Sequence, residues 1–287
     1  MRKNDIIKVV QPSSIMRIDK CEKSDAVSDV FSGTVSVQGE DIPVYFKAYA
    51  YKHPYVSEGD RGLINEIIGY LVCHLYGVPQ PEQGFIVFMP ENKITHLKDS
   101  YSPRLKSSYS DNKIIPMFAT QRIYAKSLSH TYYHSIDPIK ARLRTWRYYK
   151  QSLICDEIIA NTDRLPQNIL TASGKNFWLI DNGKLALEDG TNWRKVGLVN
   201  HTNYTNFLAD LALNDIKAND KKGISIIAET IKISKKLKEV LPECNYWIDT
   251  FASQTDKKDW QTFLDFLKYR DDNISRILSH RYGMLQL

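Results

Sequence analysis

Two stretches of this sequence decide its fold: Asn161-Thr-Asp-Arg-Leu-Pro-Gln-Asn168, and Phe177-Trp-Leu-Ile-Asp-Asn-Gly183. They place an aspartate, an asparagine and a second aspartate on two loops that flank a pair of short strands. Asp163 and Asn168 lie five positions apart in the first loop, and Asp181 ends the apolar run of the second stretch. A loop of that length lets the aspartate face a reacting group while the asparagine turns back towards a metal ion.

The three side chains match the needs of phosphoryl transfer from ATP. In that reaction one carboxylate positions the attacking hydroxyl group, while an amide and a second carboxylate hold Mg²⁺. Mg²⁺ prefers oxygen ligands and usually keeps water and substrate phosphate oxygens, so Asn168 and Asp181 suffice as protein ligands. Gly183 is expected to allow a tight reversal after Asp181. These residues predict an ATP-dependent phosphotransferase in which Asp163 acts on the acceptor.

A lysine and a glutamate upstream complete the set. Lys47 lies near the end of a strand predicted over Ile42–Ala48, where β-branched and aromatic residues favour a sheet. Glu66 lies near the start of a helix predicted over Leu63–Tyr76, in which apolar residues recur every four positions before Gly77. A glutamate at this position would pair with Lys47 and hold its ammonium group in place.

Each of these residues has a simpler interpretation when it is taken alone. Asp and Asn are favoured turn residues, and Asn182-Gly183 after a strand is typical of a hairpin. Lys47 by itself is more typical of a solvated strand face. Glu66 by itself is typical of a first-turn carboxylate, which the helix dipole stabilises by roughly 0.3–1 kcal/mol. The order and spacing of the whole set favour the phosphotransferase over these alternatives.

The remaining pattern divides the chain into a sheet-rich first part and a helical second part. Further strands are predicted over Ser14–Asp19, Val30–Gln38, Gly84–Met89 and Ile114–Tyr124. A loop is predicted over Cys21–Asp29, a long loop or an insertion over residues 91–112, and helices over Pro138–Ala160 and after Tyr204. We therefore predict an α+β fold of two lobes, with an antiparallel β-sheet lobe over residues 1–123 and a mainly helical lobe over residues 124–287.

Composition excludes several classes of protein. The 287 residues carry a net charge of +6, which is compatible with ATP, an acidic protein or RNA as ligand and equally with solubility alone. No dense Lys/Arg stripe with interleaved aromatic residues is present, so direct nucleic-acid binding is not expected. The four cysteines form no Cys-x-x-Cys pair, which argues against a zinc site. Without a membrane-spanning run or a recognisable secretory signal, a cytoplasmic location is the default expectation.

Four segments of the chain resemble the HipA-like kinases, which are bacterial Ser/Thr kinases of the persistence-toxin type and distant relatives of the phosphoinositide 3/4-kinases. These segments are Val44–Lys47, Asn65–Pro79, Asn161–Asn168 and Trp178–Gly183. The resemblance covers about residues 14 to 185. It implies a bilobal protein-kinase-like fold that transfers the γ-phosphate of ATP, with Mg²⁺, to a Ser or Thr hydroxyl of a protein or of the chain itself.

The resemblance also implies a role for each matching position. Lys47 would contact the ATP phosphates, Asp163 would orient or deprotonate the acceptor hydroxyl, and Asn168 and Asp181 would ligate Mg²⁺. The segment from about Phe118 to Tyr124 would contact adenine through its backbone, and the loop over Cys21–Asp29 would cover the phosphates. The nucleotide contacts expected from these two segments are Ser24, Ser28, Phe118, Thr120, Gln121 and Arg122. Ser24, Ser28 and Ser32 are also candidate sites of self-phosphorylation.

Two positions depart from the family pattern. The Cys21–Asp29 loop has no glycine, so Ser24, Ser28 and backbone amides would have to bind the phosphates. Leu165-Pro166 follows the Asp-Arg pair where lipid-kinase relatives often have a histidine, so a group that would neutralise the transferring charge is missing there. These departures leave two alternatives open, namely a nucleotide-binding pseudokinase or regulatory module, and a lipid or small-molecule kinase.

The resemblance implies partners as well. The first is a protein substrate with a Ser or Thr acceptor, and the second is a small cognate inhibitor protein of the kind that accompanies such kinases in toxin–antitoxin or phage-defence systems. No segment of the sequence predicts a membrane partner.

Overall fold

A computed structural model describes residues 6–24, 28–49, 62–132, 136–172, 176–187, 197–200, 203–218, 220–233 and 236–284. The chain forms two compact units. The first, the sheet unit, comprises residues 1–67 and 81–123, and the second, the helical unit, comprises residues 68–80 and 124–287. The division falls within helix α1 (Gly62–Leu75).

The sheet unit is built on six strands. They are β1 (Ile7–Val10), β2 (Ile15–Ser24), β3 (Ser28–Val37), β4 (Glu40–Tyr49), β5 (Gly84–Pro90) and β6 (Ile114–Gln121), in the order β1-β5-β6-β4-β3-β2. Every neighbouring pair is antiparallel except β1 and β5. Gln38 and Gly39 join β3 to β4 with φ values of 55° and 86°, a turn whose twist suits a two-residue hairpin.

Buried apolar side chains alternate with more exposed ones along the strands and form the core of this unit. Phe31 and Val35 of β3 and Val44 and Phe46 of β4 have almost no exposed surface. The intervening β4 residues, Pro43, Tyr45 and Lys47, are only partly buried. This period of two is the pattern from which the strands were predicted, and it places Lys47 on the face opposite Phe46.

The predicted loop over Cys21–Asp29 is wrong in its bounds. Strand β2 continues to Ser24 and β3 begins at Ser28, with Ser24 opposite Asp29 and Ser28 opposite Tyr49. Residues 25–27 lie outside the described part of the chain. Cross-strand pairing overrode the polar composition of these residues, because backbone hydrogen bonds do not depend on side-chain polarity.

The loop alternative for residues 91–112 is also wrong, because this region contains α2 (Glu91–Ile94) and α3 (Pro103–Asp111). Ser102 caps α3 by accepting a hydrogen bond from the Leu105 amide, and Pro103 occupies the first helical position, where its missing N–H costs nothing. The Asp29 carboxylate accepts hydrogen bonds from both the amide and the hydroxyl of Ser102, at 2.8 and 2.6 Å. The helix is therefore fixed to the start of β3.

Helix α1 matches its prediction to within a residue at each end. Gly77 follows it with a φ of 62°, and the Val78 amide donates to the Cys73 carbonyl at 2.9 Å, as in a glycine-terminated helix. In the helical unit the Sγ atoms of Cys73 and Cys155 lie 3.7 Å apart. Hydrogen bonding to Cys73 and burial both raise the pKa of the Cys155 thiol, so Cys155 is a protonated packing residue.

The helical unit contains a small sheet and eight helices among its described residues after Tyr124. The sheet consists of β7 (Lys126–Ser127), β8 (Ile169–Thr171) and β9 (Phe177–Leu179). The helices are α4 (Leu128–Tyr132), α5 (Ile136–Arg144), α6 (Tyr149–Ile159), α7 (Phe207–Ala218), α8 (Asp220–Ile233), α9 (Leu241–Phe251), α10 (Gln254–Asp272) and α11 (Ile274–Arg281).

Helix α6 is the centre of this unit, since every residue from Ser152 to Ile159 is buried. Its Glu157 carboxylate binds Arg270 of α10 at 2.8 Å and Arg281 of α11 at 3.1 Å. The Asn206 amide also donates to Glu157, at 2.9 Å. Burying a carboxylate is costly unless it is paired, and these three donors satisfy Glu157 while they attach the C-terminal helices to α6.

Within the described ranges, no helix combines the length and the apolar character that crossing a membrane requires.

Candidate active site

Lys47 and Glu66 form an ion pair in the sheet unit. The Lys47 Nζ atom donates to Oε1 of Glu66 at 2.7 Å, and the Tyr49 hydroxyl donates to the same oxygen at 2.9 Å. The side chain of Lys47 is 17% exposed and that of Glu66 is 4% exposed. The solvated-face alternative for Lys47 is therefore wrong. Glu66 is also not a first-turn carboxylate, since it is the fifth residue of α1.

Strand β6 carries the residues predicted to contact the nucleotide base. Phe118 lies opposite Lys47 in the β4–β6 register, and Thr120 lies opposite Tyr45. The amides of Gln121 and Arg122 already donate to backbone carbonyls of the sheet unit, at 2.9 and 2.8 Å. Backbone contacts to adenine from these two residues would therefore come from their carbonyl oxygens.

The serines predicted to contact phosphate lie on β2 and β3, on the side of β4 away from β6. Ser28 is the first residue of β3 and is buried, and Ser32, further along the same strand, is 2% exposed. Ser24 ends β2. Self-phosphorylation at Ser28 or Ser32 would require this strand to open, because a buried hydroxyl cannot reach a phosphate donor.

The first loop of the helical unit begins where α6 ends. Ala160 ends the helix in the left-handed region, with a φ of 49°, and Asn161 then accepts a hydrogen bond from the Asp163 amide at 3.1 Å. Asn168 ends the short 3₁₀ turn Pro166–Asn168 and donates from its side-chain nitrogen to the Asp163 carbonyl at 2.7 Å. Asp163 and Asn168 are thus brought together within one loop, as their spacing predicted.

The second loop begins with Asp181, which follows β9. Asp181 has a φ of 67°, a left-handed conformation that costs a residue with a Cβ atom free energy and that Asp and Asn tolerate best. Its Oδ1 atom accepts a hydrogen bond from the Gly183 amide at 3.3 Å. Gly183 does not adopt a positive φ. The chain therefore reverses at the aspartate itself, and the expectation that Gly183 makes the reversal is wrong.

Arg164 joins the two loops, and its central position was missed from the sequence. It is 1% exposed, and its guanidinium donates to Oδ1 of Asn182 at 2.6 Å and to the backbone carbonyl of Ile180. On its other side it binds both carboxylate oxygens of Asp156 in α6, at 3.1 to 3.3 Å. Arg164 directly follows Asp163, and its partners Ile180 and Asn182 directly precede and follow Asp181. The guanidinium therefore holds Asp163 and Asp181 at fixed relative positions.

In the Asp156–Arg164 pair, each charge opposes the effect of burial on the pKa of the other. Burial raises the pKa of the Asp156 carboxyl, and the Arg164 guanidinium opposes that rise. Burial also disfavours the charged form of Arg164, but the nearby Asp156 carboxylate outweighs it and raises the pKa of Arg164. Each side chain thus replaces part of the water that the other has lost on burial.

Helix α1 approaches the second loop at a glycine. A Cβ atom placed on Gly69 would lie 2.3 Å from Cβ and 2.6 Å from Cγ of Asn182. Asn182 in turn accepts a hydrogen bond from Asn161 at 3.1 Å as well as the one from Arg164. The mid-helix glycine thus makes room for the residue that links both loops.

The described residues that follow Asp181, 182–187, do not pair with β9, so the hairpin alternative for Asn182-Gly183 is wrong. Leu185 instead forms an antiparallel bridge with Asn161, and the Ala186 amide donates to the Ala160 carbonyl at 2.8 Å. This return brings Lys184 to the first loop, where its Nζ atom lies 3.2 Å from Oδ2 of Asp163.

The residues of the two loops fit a magnesium ion. Because the side-chain nitrogen of Asn168 is held by Asp163, its Oδ1 atom remains for a ligand. An amide oxygen and one carboxylate are the set that Mg²⁺ uses together with substrate phosphate oxygens. The described residues contain no cluster of three or more His, Cys, Asp or Glu side chains of the kind that would hold a metal without a substrate.

Comparison with known proteins identifies the fold. No protein-family model matches the chain, and no curated protein matches its sequence. Among solved structures the chain is similar to the crystal structure of a Helicobacter pylori proinflammatory kinase, CtkA. The two share 12% sequence identity with a TM-score of 0.51 over 97% of this chain and 100% of that chain. This chain has a kinase-like α+β fold, which confirms the predicted fold class.

Proposed function

We propose that this protein is an ATP-dependent phosphotransferase that transfers the γ-phosphate of ATP to a Ser or Thr hydroxyl of a protein, its own chain included. One observation carries the proposal most strongly. Asp163, Asn168 and Asp181 lie on two loops that a single buried arginine ties to each other. Catalysis of phosphoryl transfer depends on positioning and charge neutralisation, and a buried ion pair is a rigid means of positioning.

The proposed reaction assigns one task to each group. The acceptor oxygen forms a bond to phosphorus while the bond between phosphorus and the β,γ-bridging oxygen breaks, and its electron pair leaves with ADP. Asp163 orients the acceptor hydroxyl and takes its proton. Asn168 and Asp181 would hold Mg²⁺, which supplies positive charge to the phosphates when it is bound. Lys47, held by Glu66, would contact the phosphates of ATP.

The wider role belongs to the same proposal. The resemblance to HipA-like kinases supports a place in a toxin–antitoxin or phage-defence system, with a small cognate protein as inhibitor and a cytoplasmic location. Mg²⁺ dependence and Ser/Thr acceptors rest on the same resemblance, together with the amide and carboxylate oxygens of the two loops.

Transfer of radiolabelled γ-phosphate tests the proposal. The wild-type chain is incubated with labelled ATP, with and without Mg²⁺, and with a protein extract, a lipid extract or neither, and the labelled residue is then identified. We expect Mg²⁺-dependent label on Ser or Thr, and its loss in Asp163→Asn and Asp181→Asn. Asp272→Asn is the matched control, because Asp272 is an exposed aspartate of the same unit and its loss removes the same charge.

Three outcomes would contradict the proposal in different ways. Undiminished transfer in Asp163→Asn and Asp181→Asn would remove the assigned site. Thermal stabilisation by ATP and Mg²⁺ without any transfer would favour the nucleotide-binding regulatory module. Label that appears only in lipid or small-molecule acceptors would favour the third class of kinase.

A further inference from the structure

We propose that Lys184 is a catalytic residue whose ammonium group binds the phosphoryl group during its transfer. This inference rests on the proposed phosphotransferase function and adds a residue that the sequence motifs did not assign. The observation behind it is the contact between Lys184 Nζ and Asp163 Oδ2, at 3.2 Å. Asp163 is the residue proposed to hold the acceptor oxygen, so the ammonium lies beside the point at which the new bond would form.

The backbone fixes this placement. Leu185 is bridged to Asn161, and the Ala186 amide donates to the Ala160 carbonyl at 2.8 Å. Ala160 and Ala186, the two residues of that bond, both have left-handed backbones, with φ values of 49° and 48°, and both are 1% exposed. A lysine directly before a paired and buried segment has little freedom of position at its Cα atom, although its side chain remains free to swing.

The Lys184 side chain is suited to exchange partners. It is 39% exposed, and the Asp163 side chain is 22% exposed. Ion pairs with this access to water contribute little to stability, so the ammonium can leave Asp163 at small cost. An ammonium group also has three donors, and one bond to Asp163 leaves capacity for a phosphate oxygen.

The chemistry favours a further cation beside the acceptor, in addition to Lys47 and Mg²⁺ at the ATP phosphates. In phosphoryl transfer negative charge is spread over the equatorial oxygens, and kinases and related enzymes neutralise it with Lys, Arg or metal ions. Leu165-Pro166 cannot supply that charge from the first loop. Arg164 cannot supply it either, because it is 1% exposed and committed to Asp156 and Asn182. Lys184 offers the charge from the second loop.

Lys184 takes no proton in this step. The acceptor proton passes to Asp163, the new oxygen–phosphorus bond forms, and ADP leaves with the electron pair of the broken bond. The Lys184 ammonium stays charged throughout and shifts from the Asp163 carboxylate towards the phosphoryl oxygens as Asp163 becomes neutral.

Binding of a mimic of the transferring phosphoryl group tests the inference without relying on turnover. Titration calorimetry compares ADP with Mg²⁺ alone against ADP with Mg²⁺ and aluminium fluoride. The chains are the wild type, Lys184→Met, Lys184→Gln and Lys184→Arg. Lys257→Met is the matched control, because Lys257 of the same unit is a partly exposed lysine paired with one aspartate, Asp249, at 2.9 Å.

We expect wild type and Lys257→Met to bind ADP and Mg²⁺ with aluminium fluoride more tightly than ADP and Mg²⁺ without it. In Lys184→Met and Lys184→Gln that advantage should fall about tenfold or more, while the affinity for ADP changes less than about twofold. The kcat of transfer should fall about 100-fold with the KM for ATP nearly unchanged, because the contact forms only as charge develops. Lys184→Arg should recover part of the affinity advantage for the aluminium fluoride complex and part of the kcat, which a purely structural role would not predict.

The outcomes separate this inference from the one on which it rests. Wild-type transfer that Lys184→Met leaves intact, with full affinity for the aluminium fluoride complex, would reduce Lys184 to an ion-pair partner of Asp163 and leave the phosphotransferase in place. A wild-type chain that neither transfers phosphate nor binds ADP would overturn both. Equal losses for ADP and for the mimic would also overturn the inference, because they indicate general damage to the site.

Discussion

The Arg164 guanidinium and the Asp156 carboxylate form an ion pair in which neither side chain has any exposed surface. The pair joins the loop after α6 to α6 itself, and Arg164 extends the link to Asn182 at 2.6 Å. The next residue of the helix, Glu157, binds Arg270 and Arg281 on the C-terminal helices. Two consecutive acids of α6 therefore attach the two candidate site loops and the last helices to the same buried element.

Removal of Arg164 should destabilise the protein strongly. Arg164→Ala leaves the Asp156 carboxylate buried without its partner, which typically costs about 3–5 kcal/mol. Chemical denaturation followed by circular dichroism measures the loss. Arg17→Ala is the control, because the Arg17–Asp19 pair is 3.0 Å long but lies at the surface and should contribute about 1 kcal/mol or less. Similar losses in the two variants would show that Arg164 does not have the structural role assigned to it.

Substitution of Gly69 tests the approach of α1 to the second loop. Alanine is the better helix former by about 1 kcal/mol, so propensity alone predicts that Gly69→Ala is stabilising. We expect the opposite, a loss of about 1–3 kcal/mol, because the new methyl group would overlap the Cβ and Cγ atoms of Asn182. Asn182 cannot yield without breaking its bonds to Arg164 and Asn161.

Gly223 in α8 provides the matched control for that substitution. A Cβ atom there would lie 2.6 Å from the Met284 sulfur, which belongs to a flexible side chain that can move away, and 3.0 Å from Cγ2 of Ile216. Thermal denaturation of Gly69→Ala and Gly223→Ala should therefore give different results, with the larger loss at Gly69. Equal melting temperatures for the two variants would contradict the close packing of Gly69 against Asn182.

The backbone of Asp181 gives a third prediction. Because its φ is 67°, Asp181→Gly should be more stable than Asp181→Ala by about 1 kcal/mol, although both variants lose the same carboxylate. Position 163 serves as the comparison, since Asp163 has no positive φ and Asp163→Gly should be no more stable than Asp163→Ala. Denaturant midpoints of the four variants provide the measurement. An alanine variant at position 181 as stable as the glycine variant would contradict the left-handed backbone.

The sequence predicted those parts of the molecule that local pattern and chemistry encode. The alternation of apolar residues predicted β4 with Lys47, and the recurrence of apolar residues every four positions predicted α1. The spacing of the amide and carboxylate residues predicted both loops. The sequence indicated Arg164 only as part of a motif. Its structural role was not predicted, because tertiary structure brings its partners to it and Asn182 is 18 residues away. The parallel pairing of β1 with β5 is equally non-local.

One further difference had a local signal that another interpretation concealed. Ser102-Pro103 is an N-cap followed by a first-position proline, yet the polar composition around it favoured a loop over α3. There a compositional rule outweighed a positional one, and the positional one was correct. The return of Lys184 to Asp163 has no local signal, because it depends on the bridge between Leu185 and Asn161.

Buried tyrosines give the last prediction, a loss of stability at alkaline pH. Burial raises the pKa of Tyr109 and Tyr282 well above the ordinary value of 10.0, and it raises the pKa of Cys244 from 9.0 to about 12. These groups lose protons in the unfolded chain before they do so in the folded one. Their contribution to the free energy of unfolding is therefore complete below about pH 9 and declines as pH rises towards 12.

Tyr282→Phe isolates one of these groups. The Tyr282 hydroxyl is buried and has no hydrogen-bond partner among the described residues, so its removal should cost little at pH 8. At pH 11, one unit above the pKa of an unfolded tyrosine, wild type should have lost about 1.4 kcal/mol more than Tyr282→Phe. Urea denaturation at both pH values measures the difference, and Tyr246→Phe, at a side chain that is 54% exposed, should behave as wild type does. If Tyr282→Phe and wild type lose equal stability between pH 8 and pH 11, the Tyr282 hydroxyl is not held neutral by burial.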